Sequence, residues 1–103
     1  MNLDFILHDM EKLKVSSENF VIVTIVNALG SIPQEIGAKL LVNKDGYYSG
    51  TIGGGKLENA AIEKAKEYLK LNISQSYFQD WNLQTDIGMS CGGRVSLFFE
   101  VSC

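Results

Sequence analysis

The sequence has little of what several functional classes require. It contains one arginine, Arg94, and its nine basic residues are scattered and outnumbered by twelve acidic ones, for a net charge of −3. A nucleic-acid-binding protein gathers Lys and Arg on one face to neutralise phosphates, so this balance predicts no nucleic-acid partner. One histidine, His8, and two separated cysteines, Cys91 and Cys103, match no zinc-ligand spacing.

Long apolar runs are also missing. No segment approaches the roughly 18–20 apolar residues of a transmembrane helix, and the N-terminus lacks the basic start and apolar core of a signal peptide. Two cysteines are too few for a disulfide scaffold, which favours reduced thiols and a cytoplasmic protein without membrane contact. The length of 103 residues and the apolar content of 46% predict one domain, residues 1–103.

The apolar periodicity predicts seven elements in the order α-β-β-β-α-β-β. An unbroken β-branched run at residues 20–26 predicts a central strand, buried on both faces between helices. Asp45-Gly46 between two apolar runs predicts a hairpin. The expected fold is α/β, of an α+β-like kind, with a single mixed sheet of about five strands flanked by two helices. The predicted helices are at residues 3–13 and 56–71, and the strands are at 20–26, 38–43, 47–52, 76–81 and 94–101.

Three consecutive glycines, Gly53, Gly54 and Gly55, separate a predicted strand from a predicted helix. Such a run suits backbone with positive φ or close approach of a ligand, and the helix start adds free amides and a positive dipole end. An anion site and a plain tight turn both fit this pattern. A nucleotide-binding P-loop is disfavoured, because Leu57 stands where Ser or Thr would hold Mg²⁺. Glu58 favours a ligand with hydrogen-bond donors over a bare anion.

A second glycine-containing stretch is Cys91-Gly92-Gly93. A thiol in such a loop suits a soft metal ligand or a sulfur carrier, although an ordinary loop cysteine also fits. Cys91 does not fit a protease-type nucleophile, because no histidine lies near it in the sequence to act as its base. A third stretch, residues 27–37, predicts a long loop in which Ser31 and Gln34 can hydrogen-bond a ligand.

Taken together, these stretches resemble the N-terminal domain of the XdhC/CoxI family, accessory proteins of xanthine dehydrogenase and related molybdenum hydroxylases. The resemblance extends from about residue 20 to residue 100. The motifs that carry it are Gly30-Ser31-x-Pro33, Gly37-Ala38-Lys39, Asp45-Gly46, Gly50-Thr51-Ile52-Gly53-Gly54-Gly55-x-x-Glu58 and Cys91-Gly92-Gly93.

The resemblance implies a chaperone and not an enzyme. It would bind molybdenum cofactor (molybdopterin) transiently, protect it during sulfuration, and deliver it to an apo-enzyme of the xanthine dehydrogenase type. A cysteine desulfurase or sulfurtransferase is the second implied partner, and a homodimer stays open. The family's C-terminal Rossmann-type domain is expected to be absent. The implied cofactor-binding residues are Ser31, Gln34, Gly53, Gly54, Gly55, Glu58, Cys91, Gly92 and Gly93, with Cys91 also facing the metal.

Within this resemblance, the glycine amides would take the phosphate or pterin edge and Glu58 would recognise pterin nitrogens. Two positions depart from the family, which commonly has arginine where this chain has Gln34 and a small hydroxyl residue where it has Ile32. Glutamine cannot supply the charge with which arginine binds phosphate. Two alternatives therefore stay open. One is a cofactor-free module that docks a hydroxylase or sulfurtransferase through the N-terminal helix or a sheet edge, and the other is a nucleotide-binding domain using residues 50–56.

Overall fold

The backbone follows the predicted order of helices and strands. A computed structural model describes residues 3–30, 35–90 and 92–103. The elements are α1 (Leu3–Val15), β1 (Phe20–Leu29), β2 (Lys39–Asn43), β3 (Gly46–Gly50), α2 (Gly55–Lys70), β4 (Ser76–Asn82) and β5 (Arg94–Ser102). The prediction of five strands and two helices is confirmed. Of the helices described, neither is long and apolar enough to cross a membrane.

The five strands form one sheet in the order β3-β2-β1-β5-β4. Every neighbouring pair is antiparallel, so the prediction of a mixed sheet is wrong in this respect. A strand–helix–strand pattern such as the one around α2 commonly joins two parallel strands. β3 and β4 do run in the same direction, but they are the two edge strands and the other three strands lie between them. The helix therefore crosses the whole sheet instead of joining neighbours.

The central strand β1 is buried on both faces, as its unbroken apolar sequence predicted. On one face Val21, Val23 and Ile25 belong to the main core, which also contains Leu57, Ala61 and Ala65 of α2. On the other face, a smaller cluster joins α1 to the sheet, and its buried members are Ile6, Leu13, Phe20 and Leu41. The two helices thus lie on opposite faces of the sheet.

β1 is longer than its sequence indicated. A register shift between Ile25 and Asn27 lets the strand continue to Leu29, paired with β5, where the sequence predicted a loop from residue 27. The connection to β2 therefore begins at Gly30, which has φ of 77°. The bulge lets the end of β1 stay in the sheet although its residues are largely exposed.

Candidate functional site

The described residues of the three glycine-containing stretches lie at one end of the sheet. Strands β1, β3 and β4 end there and strands β2 and β5 begin there, because all neighbouring strands are antiparallel. The connections at this end are the β1–β2 connection (residues 30–38), the glycine turn (residues 51–54) and the β4–β5 connection (residues 83–93). The topology therefore brings together segments that are far apart in sequence, such as Gly30 and Gly93, whose positions differ by 63.

Contacts between the described parts of these connections join them into one region. A Cβ added to Gly30 would lie 3.1 Å from Gly93 Cα, so the β1–β2 and β4–β5 connections touch through glycine backbone. Lys56 Nζ donates a hydrogen bond to Gly88 O at 2.9 Å, which links the start of α2 to the β4–β5 connection. The Leu83 amide donates to Gly93 O at 2.8 Å.

Some of the predicted site residues can be placed and others cannot. Gly53 and Gly54 lie in the glycine turn, Gly55 begins α2, and Glu58 lies in the first turn of that helix. Gly92 and Gly93 lead into β5. The predictions for Ser31, Gln34 and Cys91 fall outside the described residues, so their part in the site stays a prediction.

The three consecutive glycines all have positive φ, of 125°, 74° and 57°. Gly54 combines its φ with ψ of −169°, a region that is essentially restricted to glycine. A Cβ added to Gly54 or Gly55 would meet nothing within 4 Å. The conformation of the turn, and not crowding by the protein, therefore requires glycine at these two positions, and the space beside them is open.

Glu58 turns back onto the glycine turn and stabilises it. Its Oε1 accepts hydrogen bonds from Thr51 Oγ1 at 2.8 Å, the Ile52 amide at 3.1 Å and the Gly54 amide at 3.2 Å. The Gly53 amide donates to Thr51 Oγ1 at 3.0 Å. The amides of Gly53 and Gly54, expected to take an anion, are thus bonded to the protein's own side chains.

Thr51 is a residue whose part the sequence did not reveal. Its hydroxyl both donates to Glu58 and accepts from Gly53, so it links the acidic residue to the turn. The available signal was Glu58 itself, an acidic residue in the first helical turn, which was predicted to bind a ligand. Within the described residues, Oε2 of Glu58 makes no hydrogen bond.

The first turn of α2 offers the free donors of this region. Gly54 provides no side-chain cap, and its carbonyl accepts the Glu58 amide at 3.3 Å. Within the described residues the amides of Gly55, Lys56 and Leu57 donate to no protein oxygen, and the positive end of the helix dipole lies with them. The Leu57 side chain is fully buried in the core, so nothing at this position can hold Mg²⁺ in the manner of a P-loop.

Three cationic side chains belong to this end of the sheet, and each has a partner. Lys56 binds Gly88 O, and Lys39 Nζ donates to Thr24 Oγ1 at 3.0 Å. Arg94, the only arginine of the chain, pairs with Asp80 at 3.3 Å, and both side chains are about half exposed. In the sequence alone, Arg94 served only as evidence against a nucleic-acid partner. Its position three residues after Cys91 was the signal for a place near the site.

Lys56 is expected to fasten the β4–β5 connection to α2. Lys56→Gln shortens the side chain and removes its charge, so the bond to Gly88 O is lost. Because the bond is exposed, the free energy of unfolding should fall by less than about 1 kcal/mol. Amide hydrogen exchange of residues 83–90 should nevertheless accelerate. Lys66→Gln on the same helix, which removes only the exposed 3.8 Å pair with Glu63, is the matched control. Equal exchange rates in the two variants would contradict this role.

Comparison with known proteins identifies the family. The XdhC and CoxI family model matches residues 14–77, and the chain therefore belongs to this family. It is 34% identical over 95 residues to the uncharacterised protein YqeB of Escherichia coli (strain K12), a match that covers 88% of the chain and 17% of YqeB. It is 31% identical over 84 residues to the molybdenum cofactor insertion chaperone PaoD of the same organism, covering 81% of the chain and 26% of PaoD.

A solved structure has the same fold. A crystal structure of a xanthine dehydrogenase from Bacillus halodurans matches with a TM-score of 0.71 and 25% sequence identity, over 89% of this chain and 29% of the other. The chain thus spans less than a third of each of these relatives. The resemblance predicted from the sequence motifs is confirmed at the level of the family.

Proposed function

We propose that this protein binds molybdenum cofactor transiently and assists its insertion into a molybdenum hydroxylase of the xanthine dehydrogenase type. The observation that carries the proposal is that Gly30, the glycine turn and Gly92–Gly93, the described parts of three glycine-containing stretches, lie at one end of the sheet, beside the open space at Gly54 and Gly55. Membership of the XdhC and CoxI family and the similarity to PaoD, a molybdenum cofactor insertion chaperone, support it.

The described residues fit the phosphate end of such a cofactor. The free amides of Gly55, Lys56 and Leu57 present donors and the positive dipole end to an anion. This placement moves the expected phosphate contact from the amides of Gly53 and Gly54, which shape the turn, to the first turn of α2.

We also propose which residues contact the pterin and the metal of the cofactor. Glu58 would use Oε2 to accept hydrogen bonds from pterin nitrogens, while Oε1 keeps the turn in place. Cys91 would face the molybdenum, and Ser31, Gln34, Gly92 and Gly93 would line the remainder of the site. Gln34 lacks the positive charge of the arginine that is common in the family at this position. Lys56 and Arg94 would supply that charge, because a phosphate can replace their present partners, Gly88 O and Asp80.

The wider role is likewise proposed from the family. The protein would act in the cytoplasm as a chaperone without an activity of its own, and would hold the cofactor while a cysteine desulfurase or sulfurtransferase supplies the terminal sulfur. The apo-hydroxylase would then receive the sulfurated cofactor. A cofactor-free docking module is the competing proposal, motivated by Gln34.

Pterin analysis of the purified protein tests this function. The protein is isolated anaerobically from cells that make molybdenum cofactor, and bound pterin is oxidised to its fluorescent product. We expect pterin in the wild type and at least about tenfold less in Cys91→Ser, a change corresponding to about 1.4 kcal/mol of binding. Cys103→Ser is the matched control, because Cys103 is an exposed thiol outside the site.

Two results would contradict the proposal. If the wild-type protein carried no pterin, the proposal of cofactor binding would be wrong. Co-purification of a hydroxylase with such pterin-free protein would support the docking module. An equal loss of pterin in Cys91→Ser and Cys103→Ser would show that Cys91 has no particular role in cofactor binding.

A further inference from the structure

A groove between α1 and the edge strand β3 contains polar groups that the proposed cofactor site does not use. Its volume is about 430 Å³, and it reaches the end of β3 next to the glycine turn. The residues that line it include Phe5, Ile6, Asp9, Tyr47, Tyr48 and Ser49. We call it the α1–β3 groove.

Two buried polar residues in this groove have no partner within the described chain. Asp9 is only 8% exposed, and its carboxylate makes no hydrogen bond or ion pair with any described residue. Ser49 is also 8% exposed, and its hydroxyl is buried without a hydrogen-bond partner. Burial of such groups is unfavourable unless a partner satisfies them, and for a carboxylate the favoured partner carries positive charge.

The walls of the groove are suited to a flat cation. Phe5 and Tyr47 are 65% and 56% exposed, which is unusual for large aromatic side chains, and Tyr48 is half-buried beside them. Aromatic faces attract cations, and a guanidinium group stacks on them while its N–H groups remain in plane to bind a carboxylate. The ammonium group of lysine is more strongly hydrated and lacks this planar shape.

We propose that the α1–β3 groove binds the guanidinium group of an arginine side chain from a partner polypeptide. The arginine would donate to the Asp9 carboxylate, and its plane would stack on Phe5 and Tyr47. The charge complementarity is direct, because Asp9 is 8% exposed as a residue, its carboxylate has no cationic partner among the described residues, and the chain carries a net charge of −3. This site needs no bound cofactor and does not depend on the proposed function.

Titration of the isotopically labelled full chain with blocked amino acids tests the proposal. N-acetylarginine amide should cause saturable shifts of the amide resonances of Asp9, Tyr47 and Ser49. N-acetylcitrulline amide has the same shape without the charge and should bind at least about tenfold more weakly. N-acetyllysine amide should also bind more weakly than the arginine probe, since its cation cannot stack in the same way.

Variants separate recognition by Asp9 from a general charge effect. Asp9→Asn should weaken binding of the arginine probe at least about tenfold, whereas Glu11→Gln, the same change of charge at an exposed position of α1, should leave it unchanged. Phe5→Ala is a second variant that alters an exposed side chain and should weaken binding several-fold without affecting the fold.

Each opposite result would overturn the proposal. If the citrulline and arginine probes bound equally, the groove would not recognise a positive charge. If the lysine probe bound as tightly as the arginine probe, the groove would not be specific for a guanidinium group. Tighter binding of agmatine, a free small guanidine, than of the blocked arginine would indicate a metabolite in place of a polypeptide. If Asp9→Asn and Phe5→Ala both still bound the arginine probe as tightly as the wild type, the α1–β3 groove would not be the binding site.

Discussion

Replacement of Glu58 by alanine is expected to lower the free energy of unfolding by about 2–4 kcal/mol. The change removes one carboxylate oxygen that accepts three hydrogen bonds, from Thr51 Oγ1 and from the amides of Ile52 and Gly54. Hydrogen bonds to a charged group contribute about 1.5–3 kcal/mol each and are not additive within one network. The loss is large compared with a total stability of about 5–15 kcal/mol for a domain. Urea unfolding followed by circular dichroism measures it.

Two further variants give this experiment its controls. Glu58→Gln retains an acceptor oxygen and should cost about 1 kcal/mol, because only the charge is lost. Glu63→Ala, on the same helix, removes only an exposed pair with Lys66 at 3.8 Å and should cost about 0.5 kcal/mol or less. If Glu58→Ala cost no more than Glu63→Ala, the hydrogen bonds to the glycine turn would contribute nothing to stability.

The second large effect is expected at Gly50, the last residue of β3. Its φ is 81°, and a Cβ at this position would collide with Lys39 O and lie 2.6 Å from Ile6 Cδ1. Gly50→Ala combines backbone strain of about 1–2 kcal/mol with an overpacking cost of about 1–3 kcal/mol. We expect a total loss of about 2–5 kcal/mol, measured by the same urea unfolding.

Gly55→Ala is the matched control for this substitution. Gly55 also has positive φ, of 57°, but a Cβ there would meet nothing within 4 Å. Only the backbone term of about 1–2 kcal/mol should then remain. A similar loss in the two variants would mean that the contact of Gly50 with β2 and α1 is relieved by small movements, and the predicted difference would be wrong.

The candidate site shows how sequence and tertiary structure divide the problem. The glycines at residues 53–55 and the acidic residue after them were visible as a motif, and positive φ was the correct reason for glycine. The direction of Glu58 was not visible, because the sequence cannot show whether a side chain bends back to its own loop or faces a ligand. Local hydrogen bonds from Thr51, Ile52 and Gly54 decide it.

By itself, the sequence determined the identity and order of the helices and strands, the burial of β1 and the family. These properties follow from local apolar periodicity, turn residues and motif spacing, which act over a few residues. Only the tertiary structure decided that the sheet is antiparallel throughout and that three distant connections meet at one end. Strand pairing depends on contacts between residues far apart in the chain. The α1–β3 groove was likewise decided only by the tertiary structure, because the packing of α1 against β3 brings its residues together.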